Sequence, residues 1–250
     1  MAQVDLPANG VSNVVTNAVP AMPKDLSKAL PQGIAPSVAL IVIDMQRDFC
    51  SPGGYADTAG LNVARLAQPI RQIERLLAAA RQHGVLVVHT REGHRPDLSD
   101  CPPEKLARSV RSGAAIGSQG PLGRLLIRGE YGHDFVDALQ PLPGERVIDK
   151  PGYGAFYNTA LEMGLRARRV DQLVLCGVTT EVCVHSTLRE AVDRGYACTV
   201  VSDATAASDP ALQEAALAMV GVEGGIFGSV RSTADILALW NTPTATQTTP

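Results

Sequence analysis

Short runs of β-branched and leucine residues alternate with helix-like stretches along the middle of this chain, and no other feature limits its fold as much. Six runs have strand character: Val38–Asp44, Val85–Thr90, Arg146–Asp149, Gln172–Gly177, Ala197–Ser202 and Ile226–Val230. Their apolar stretches are continuous rather than alternating, as in a sheet covered on both faces. Between Pro69 and His83, Ile70, Ile73, Leu77 and Ala80 recur at helical spacing, and Gly84 supplies the stop. Further helices are expected over Thr159–Arg168, Val182–Arg194, Pro210–Val220 and Thr233–Trp240. Strand alternating with helix implies a mostly parallel sheet, so the expected fold is α/β, a three-layer α/β/α domain on six strands.

A chain of 250 residues, 45% hydrophobic, can bury one full core. That core is expected over residues 37–240. Residues 1–36, ending in Pro31-Gln-Gly-Ile-Ala-Pro36, have no sustained hydrophobic period and read as an extended arm. Residues 241–250, rich in Thr and Pro, read as a frayed tail. The 22 basic and 25 acidic residues leave a net charge of -3 and no basic stripe, which argues against nucleic acid as a partner. The apolar runs fall far short of the ~20 residues of a membrane-spanning helix, so no membrane association is expected. The N-terminus lacks the basic start and compact apolar stretch of a secretory signal, which points to the cytoplasm. Cys50, Cys101, Cys176, Cys183 and Cys198 form neither paired metal spacings nor a disulfide framework and read as reduced thiols.

Ligands of parallel sheets gather beyond the carboxyl ends of the strands, so the residues just past each run carry the functional signal. Asp44 directly follows six apolar residues. Partial desolvation there raises a carboxyl pKa and makes a general base, although an Asp in this place can also merely cap a turn. Lys150 follows the third run. If the first and third strands end at one edge, its ammonium keeps Asp44 ionised; alone, such a lysine is an ordinary surface charge. Cys183 stands in the first turn of an expected helix, where free N–H groups and the positive dipole end favour a thiolate nucleophile. Those N–H groups, with that of Thr179, suit the negative oxygen of a tetrahedral intermediate. The alternative for Cys183 is a small buried apolar residue.

Other constellations are weaker. His185 is two residues from Cys183, about 200° around a helix, so the two side chains diverge and no Cys/His dyad is expected. His89, His94, Asp97 and Asp100 cluster after the second run, but Arg91 and Arg95 interleave with them, and the segment Arg91–Asp100 reads as a polar lid or rim over the pocket rather than a metal site. No metal and no other cofactor is expected. Phe49, Tyr153 and Phe156 flank the catalytic candidates and read as substrate contacts, with loop packing as the alternative. Gly152-Tyr-Gly-Ala-Phe-Tyr-Asn158 lacks the third glycine of a dinucleotide fingerprint, so a non-catalytic binding module is the lesser reading.

Taken together, Asp44-Met-Gln-Arg-Asp-Phe49, Lys150 and Gly177-Val-Thr-Thr-Glu-Val-Cys183 resemble the isochorismatase-like cysteine hydrolases over roughly residues 38–235. The resemblance implies a Rossmann-like six-stranded sheet, a homodimer or homotetramer, and a cis peptide near Val178-Thr179. It implies catalysis by Asp44, Lys150 and Cys183, with Asp44 moving a proton from the thiol to the leaving amine. Nicotinamidases of the superfamily hold a metal with an Asp and two His, a motif without a convincing place here. Within the superfamily, Thr90–Asp100, Asp149-Lys-Pro-Gly152 and Gly224–Ser229 look most like biuret hydrolases, which release ammonia from a small urea-type substrate. Tyr153 stands where those enzymes have Lys, and Glu223 where they have Gln. Both changes make the neighbourhood more acidic, favouring the cation guanylurea narrowly over biuret, with Glu223 as a substrate contact. Triuret, N-carbamoyl amino acids and ureidoacrylate are the alternatives, the last two needing a basic partner such as Arg91 or Arg95.

Overall fold

In the computed structural model, which describes residues 37–242, the first apolar run forms strand β1, Ser37–Ile43. Leu40 and Val42 face one side of the sheet, Ala39, Ile41 and Ile43 the other, and all five are fully buried. This double burial explains why the run shows no polar alternation. The remaining strands are β2 (Leu86–Glu92), β3 (Arg146–Lys150), β4 (Val170–Val178), β5 (Ala197–Ala206) and β6 (Ser229–Arg231). The sheet order is β3-β2-β1-β4-β5-β6 and every pairing is parallel.

The longer helices are α1 (Ile70–Gln82), α2 (Pro103–Arg111), α3 (Leu161–Ala167), α4 (His185–Asp193), α5 (Pro210–Val220) and α6 (Thr233–Asn241); all but α2, which brings Lys105 to the end of β2, cover the two faces. Ile73, Leu76, Leu77 and Ala80 of α1 and Ile236 of α6 pack on the Leu40/Val42 face. Leu161 and Leu165 of α3, Leu188 and Ala191 of α4 and Val220 of α5 cover the opposite face. The chain therefore folds into the expected α/β/α layers. Strand order reverses between β1 and β4, and the crevice outside their carboxyl ends is where such sheets bind ligands.

Several boundaries moved. Strand β2 runs two residues beyond Thr90 and ends at Glu92. The last strand does not start at Ile226: Glu223 and Gly224 adopt left-handed φ of 51° and 78°, and the turn they make displaces the strand to Ser229. The helix expected from Val182 opens instead with a wide π-type turn, Thr180–Val184, before α4 begins at His185. The peptide Val178–Thr179 is cis. The arm expected over residues 1–36, and residues 243–250 of the expected tail, lie outside the described residues. No helix among the described residues is long and apolar enough to cross a membrane.

Gly177 fixes the approach of β4 to β1. Its φ is +115°, and a Cβ there would collide with the Ile43 carbonyl oxygen. An added methyl must push apart two backbones that are hydrogen-bonded neighbours. Gly177→Ala is expected to lower the unfolding free energy by about 3 kcal/mol or more, read from urea titration; an unchanged midpoint contradicts this account.

Candidate active site

Asp44 takes a left-handed φ of 51° just past β1, a conformation that Asp tolerates better than most residues. This turns its carboxylate along the strand-end edge. Thr90 Oγ1 donates to Asp44 Oδ1 at 2.6 Å, and Lys150 Nζ lies 2.7 Å from Oδ2. Lys150 ends β3, two strands away in the sheet, and also donates to the carbonyls of Gly152 and Tyr153 at 3.0 and 2.9 Å. Both members of the pair are 0% exposed, so neither charge has water to fall back on.

Glu92 ends the intervening strand β2 and faces the same space. Its Oε1 is 2.6 Å from Lys105 Nζ of α2, its Oε2 is 3.7 Å from Lys150 Nζ, and the Cys183 thiol donates to Oε2 at 3.2 Å. Lys105 also donates to the Pro151 carbonyl at 2.6 Å. Two carboxylates and two ammonium groups thus surround one sulfur. A cavity of about 290 Å³ opens above it, walled by Phe49, Tyr55, Tyr153, Arg108, Thr179 and Glu181 among others.

The electrostatics divide these groups. Burial pushes the Asp44 carboxyl above its usual range, and the opposing pull of Lys150 does not cancel this, so Asp44 is a better base than an exposed aspartate. For Glu92, burial is outweighed by Lys105 and Lys150, and the carboxyl is held below its usual range. For Lys150, burial works against the charge, but Asp44, Cys183 and Glu92 reverse the balance and keep it protonated. Burial pushes the Cys183 thiol well up, with Lys150 pulling down and Asp44 and Glu92 adding to the rise. The expected helix-end thiolate is therefore corrected. Cys183 is 4% exposed, inside a π-type turn, and its burial favours the protonated thiol.

Asp44, Lys150 and Cys183 meet as the sequence reading required. Thr179 lines the cavity, as do Phe49 and Tyr153. Phe156 does not: it is buried in the core behind β3, tilted against Tyr196 at 5.7 Å and beneath Arg194. The turn after Lys150 directs it inward, so it packs in the core and does not line the cavity. Glu223 does not line the cavity of its own chain: it is exposed on the turn before β6, at the edge of the sheet opposite the strand ends that hold Asp44 and Lys150. His185 hydrogen-bonds the Ala216 carbonyl at 3.1 Å, away from the thiol.

The segment Arg91–Asp100 read as a lid is partly core: His94 pairs with Asp100 and its imidazole is 0% exposed, as is that of His89 in β2, which pairs with Glu145. Arg91 is tied to Asp149 and Asp134. Glu92 and Lys105 escaped the sequence reading. The available signal was parity: Thr90 and Glu92 share one side of an extended chain, so a strand two residues longer delivers Glu92 beside Asp44. Lys105, from a helix with no strand-end position, had no such signal.

Asp44, Glu92 and Cys183 bring ligand-type atoms within 4.8 Å of one another, a spacing that suits a divalent ion. The donor set does not fit one, because Lys150 and Lys105 already neutralise both carboxylates. Lys150→Met, which strands Asp44 without a counter-charge, is expected to destabilise the fold by about 3–5 kcal/mol in denaturant titration. Adding Asp44→Asn should recover at least about 1 kcal/mol of that loss, whereas strict additivity of the two substitutions contradicts a coupled pair.

Known proteins are similar to this chain in sequence and fold. The isochorismatase domain model matches residues 38–235. Ureidoacrylate amidohydrolases are similar along most of the chain: that of Methylorubrum extorquens is 42% identical over 187 residues, covering 73% of this chain and 75% of the relative. That of Serratia proteamaculans is 36% identical over 228 residues, 90% of each. Among solved structures, a cysteine hydrolase from Pseudomonas syringae superposes with a TM-score of 0.68 at 32% identity, covering 81% of this chain and 92% of that one. N-carbamoylsarcosine amidase from Thermoplasma acidophilum superposes at 0.60 with 26% identity, covering 79% and 96%. A buried thiol, carboxylate and ammonium at the switch point of a parallel sheet, together with a domain match from end to end of that sheet, place this chain in the isochorismatase family as an amidohydrolase.

Proposed function

We propose that this protein cleaves a carbonyl C–N bond of a small ureido acid of the ureidoacrylate type through a thioester on Cys183. The observation that carries the choice of an acid is Arg108. This exposed residue lines the cavity that opens over the thiol, and its guanidinium carbon lies 5.5 Å from the centre of the Tyr153 ring. A carboxylate at the far end of a short substrate would pair with it in bidentate fashion while the carbamoyl carbonyl sits at the sulfur. Arg108 thus supplies the basic partner sought in Arg91 or Arg95. The names of the relatives agree with this choice.

The proposed reaction uses the residues in order. Asp44 takes the Cys183 proton as sulfur attacks the carbonyl carbon, and the new oxyanion is met by backbone N–H groups at Thr179 and Cys183. Asp44 returns the proton to the departing nitrogen, and the C–N bond breaks to leave the thioester. Water, deprotonated by the same carboxylate, then attacks the thioester and regenerates the thiol. Lys150 keeps Asp44 anionic between these transfers, and needs no exchange with solvent to do so.

A second reading keeps the chemistry and changes the substrate to biuret or guanylurea, which present N–H groups instead of a carboxylate. Glu181 favours it: the carboxyl lines the cavity, and its Oε2 is buried without a hydrogen-bond partner. Of the two departures that put guanylurea ahead, Tyr153 lines the cavity and Glu223 stands away from the cavity of its own chain. Steady-state kinetics decide between the readings. The ureido acid should give the highest kcat/KM, and Arg108→Gln should raise its KM about 10- to 100-fold while leaving biuret turnover unchanged. Higher kcat/KM for guanylurea or biuret, with Arg108→Gln silent, overturns the proposal in favour of the second reading.

A further inference from the structure

Glu92 is a buried carboxylate beside the nucleophile that the thiol–aspartate–lysine scheme leaves unused. It is 3% exposed, stands on the strand between those of Asp44 and Lys150, and has both oxygens engaged. Lys105 anchors Oε1 at 2.6 Å, and the Cys183 thiol donates to Oε2 at 3.2 Å. Lys105 is itself fixed by the Pro151 carbonyl. Such pairing makes Glu92 a stationary anion, whereas Asp44, pushed up by burial, is the carboxylate suited to gain and lose a proton. Neighbouring carboxyls driven apart in this way divide their tasks between them.

We propose that Glu92 is a fourth catalytic group: it holds the Cys183 thiol by a hydrogen bond in the free enzyme and gives up that bond when an N–H of the bound substrate takes its place. The thiol proton then passes to Asp44 only when the site is occupied. In that step the S–H bond breaks, its proton forms O–H on Asp44, the sulfur electron pair forms the S–C bond, and the carbonyl π pair moves to oxygen. Glu92 changes hydrogen-bond donors and gains no covalent bond. The inference rests on the nucleophilic role proposed for Cys183, and not on the choice between an acidic and a neutral substrate.

The charged and titratable groups around the sulfur are Asp44 beyond β1, Glu92 on β2, Lys150 on β3, Lys105 on α2, and Tyr55 and Tyr153 across the cavity. Glu181 on the same turn and Arg108 at the cavity wall complete the set. Of these, Glu92 is the acceptor of the thiol hydrogen bond. Its removal therefore acts on the thiol twice, by freeing the proton and by deleting a nearby negative charge.

The test is peptide-resolved alkylation of Cys183 by iodoacetamide across about pH 6 to 10 in wild type and Glu92→Gln, beside steady-state kinetics. In wild type the alkylation midpoint should lie above the ~8.5 of a free cysteine. In Glu92→Gln it should fall by one unit or more, giving roughly tenfold faster alkylation at neutral pH, while kcat/KM drops at least about tenfold. Reactivity and turnover moving in opposite directions is a result that loss of structure alone does not give. An unmoved alkylation profile, or both quantities falling together in a folded variant, overturns the inference. If Glu92→Gln does not fold, Glu92→Ala and Glu92→Asp take its place, the first deleting the acceptor and the second keeping the charge while shortening its reach, and the same two outcomes decide. Alkylation of wild-type Cys183 that leaves turnover intact would instead sink the nucleophile reading itself.

Discussion

A fully buried ion pair between Lys150 and Asp44 at 2.7 Å is the constraint on which the site depends. Taking either charge out of water alone costs several kcal/mol, so the two strands that deliver them must end together or not at all. Strand β2 lies between those strands and contributes Thr90 to Asp44 and Glu92 to the same enclosure. The sheet is thus more than a scaffold for three independent side chains. Its register brings opposite charges into contact at an edge that water does not reach.

The same enclosure sets the state of the nucleophile. A cysteine at a solvated helix end gains thiolate character from free N–H groups. Cys183 instead lies deep, between two carboxylates, and burial outweighs the ammonium beside it. The proposed reaction therefore begins with a proton transfer rather than with a standing anion. Asp44 is suited to that transfer because burial also raises its own affinity for the proton.

Floor and mouth of the cavity have different characters. At the floor, two ammonium groups balance two carboxylates and leave little net charge. Toward the mouth, Arg108 and Glu181 offer one cationic and one acidic contact, neither with an ion-pair partner among the described residues. In the proposed function the floor receives the reacting carbonyl, while the mouth meets the rest of the substrate. This division is consistent with a common reaction in the family and differing substrates among its relatives.

The layers, the parallel sheet and three of the groups at its edge were readable from local pattern. Continuous apolar runs mark strands buried on both faces, and Asp44 and Lys150 stand directly after such runs, where position along the chain equals position in the fold. Cys183 was readable because it closes a short turn after β4. Glu92 was hidden by a strand boundary off by two residues, and Lys105 and Arg108 by coming from a helix whose approach no local pattern records. Phe156 and Glu223 were misplaced for a related reason: turn geometry set the direction of each, inward for one and away from the site for the other. Sequence alone determined what each strand is and where it stops to within a few residues, since those follow from neighbours along the chain. Which charges share an enclosure, whether the thiol keeps its proton, and what faces a substrate were decided by tertiary structure, because desolvation and Coulomb pairing depend on distances between residues far apart in sequence.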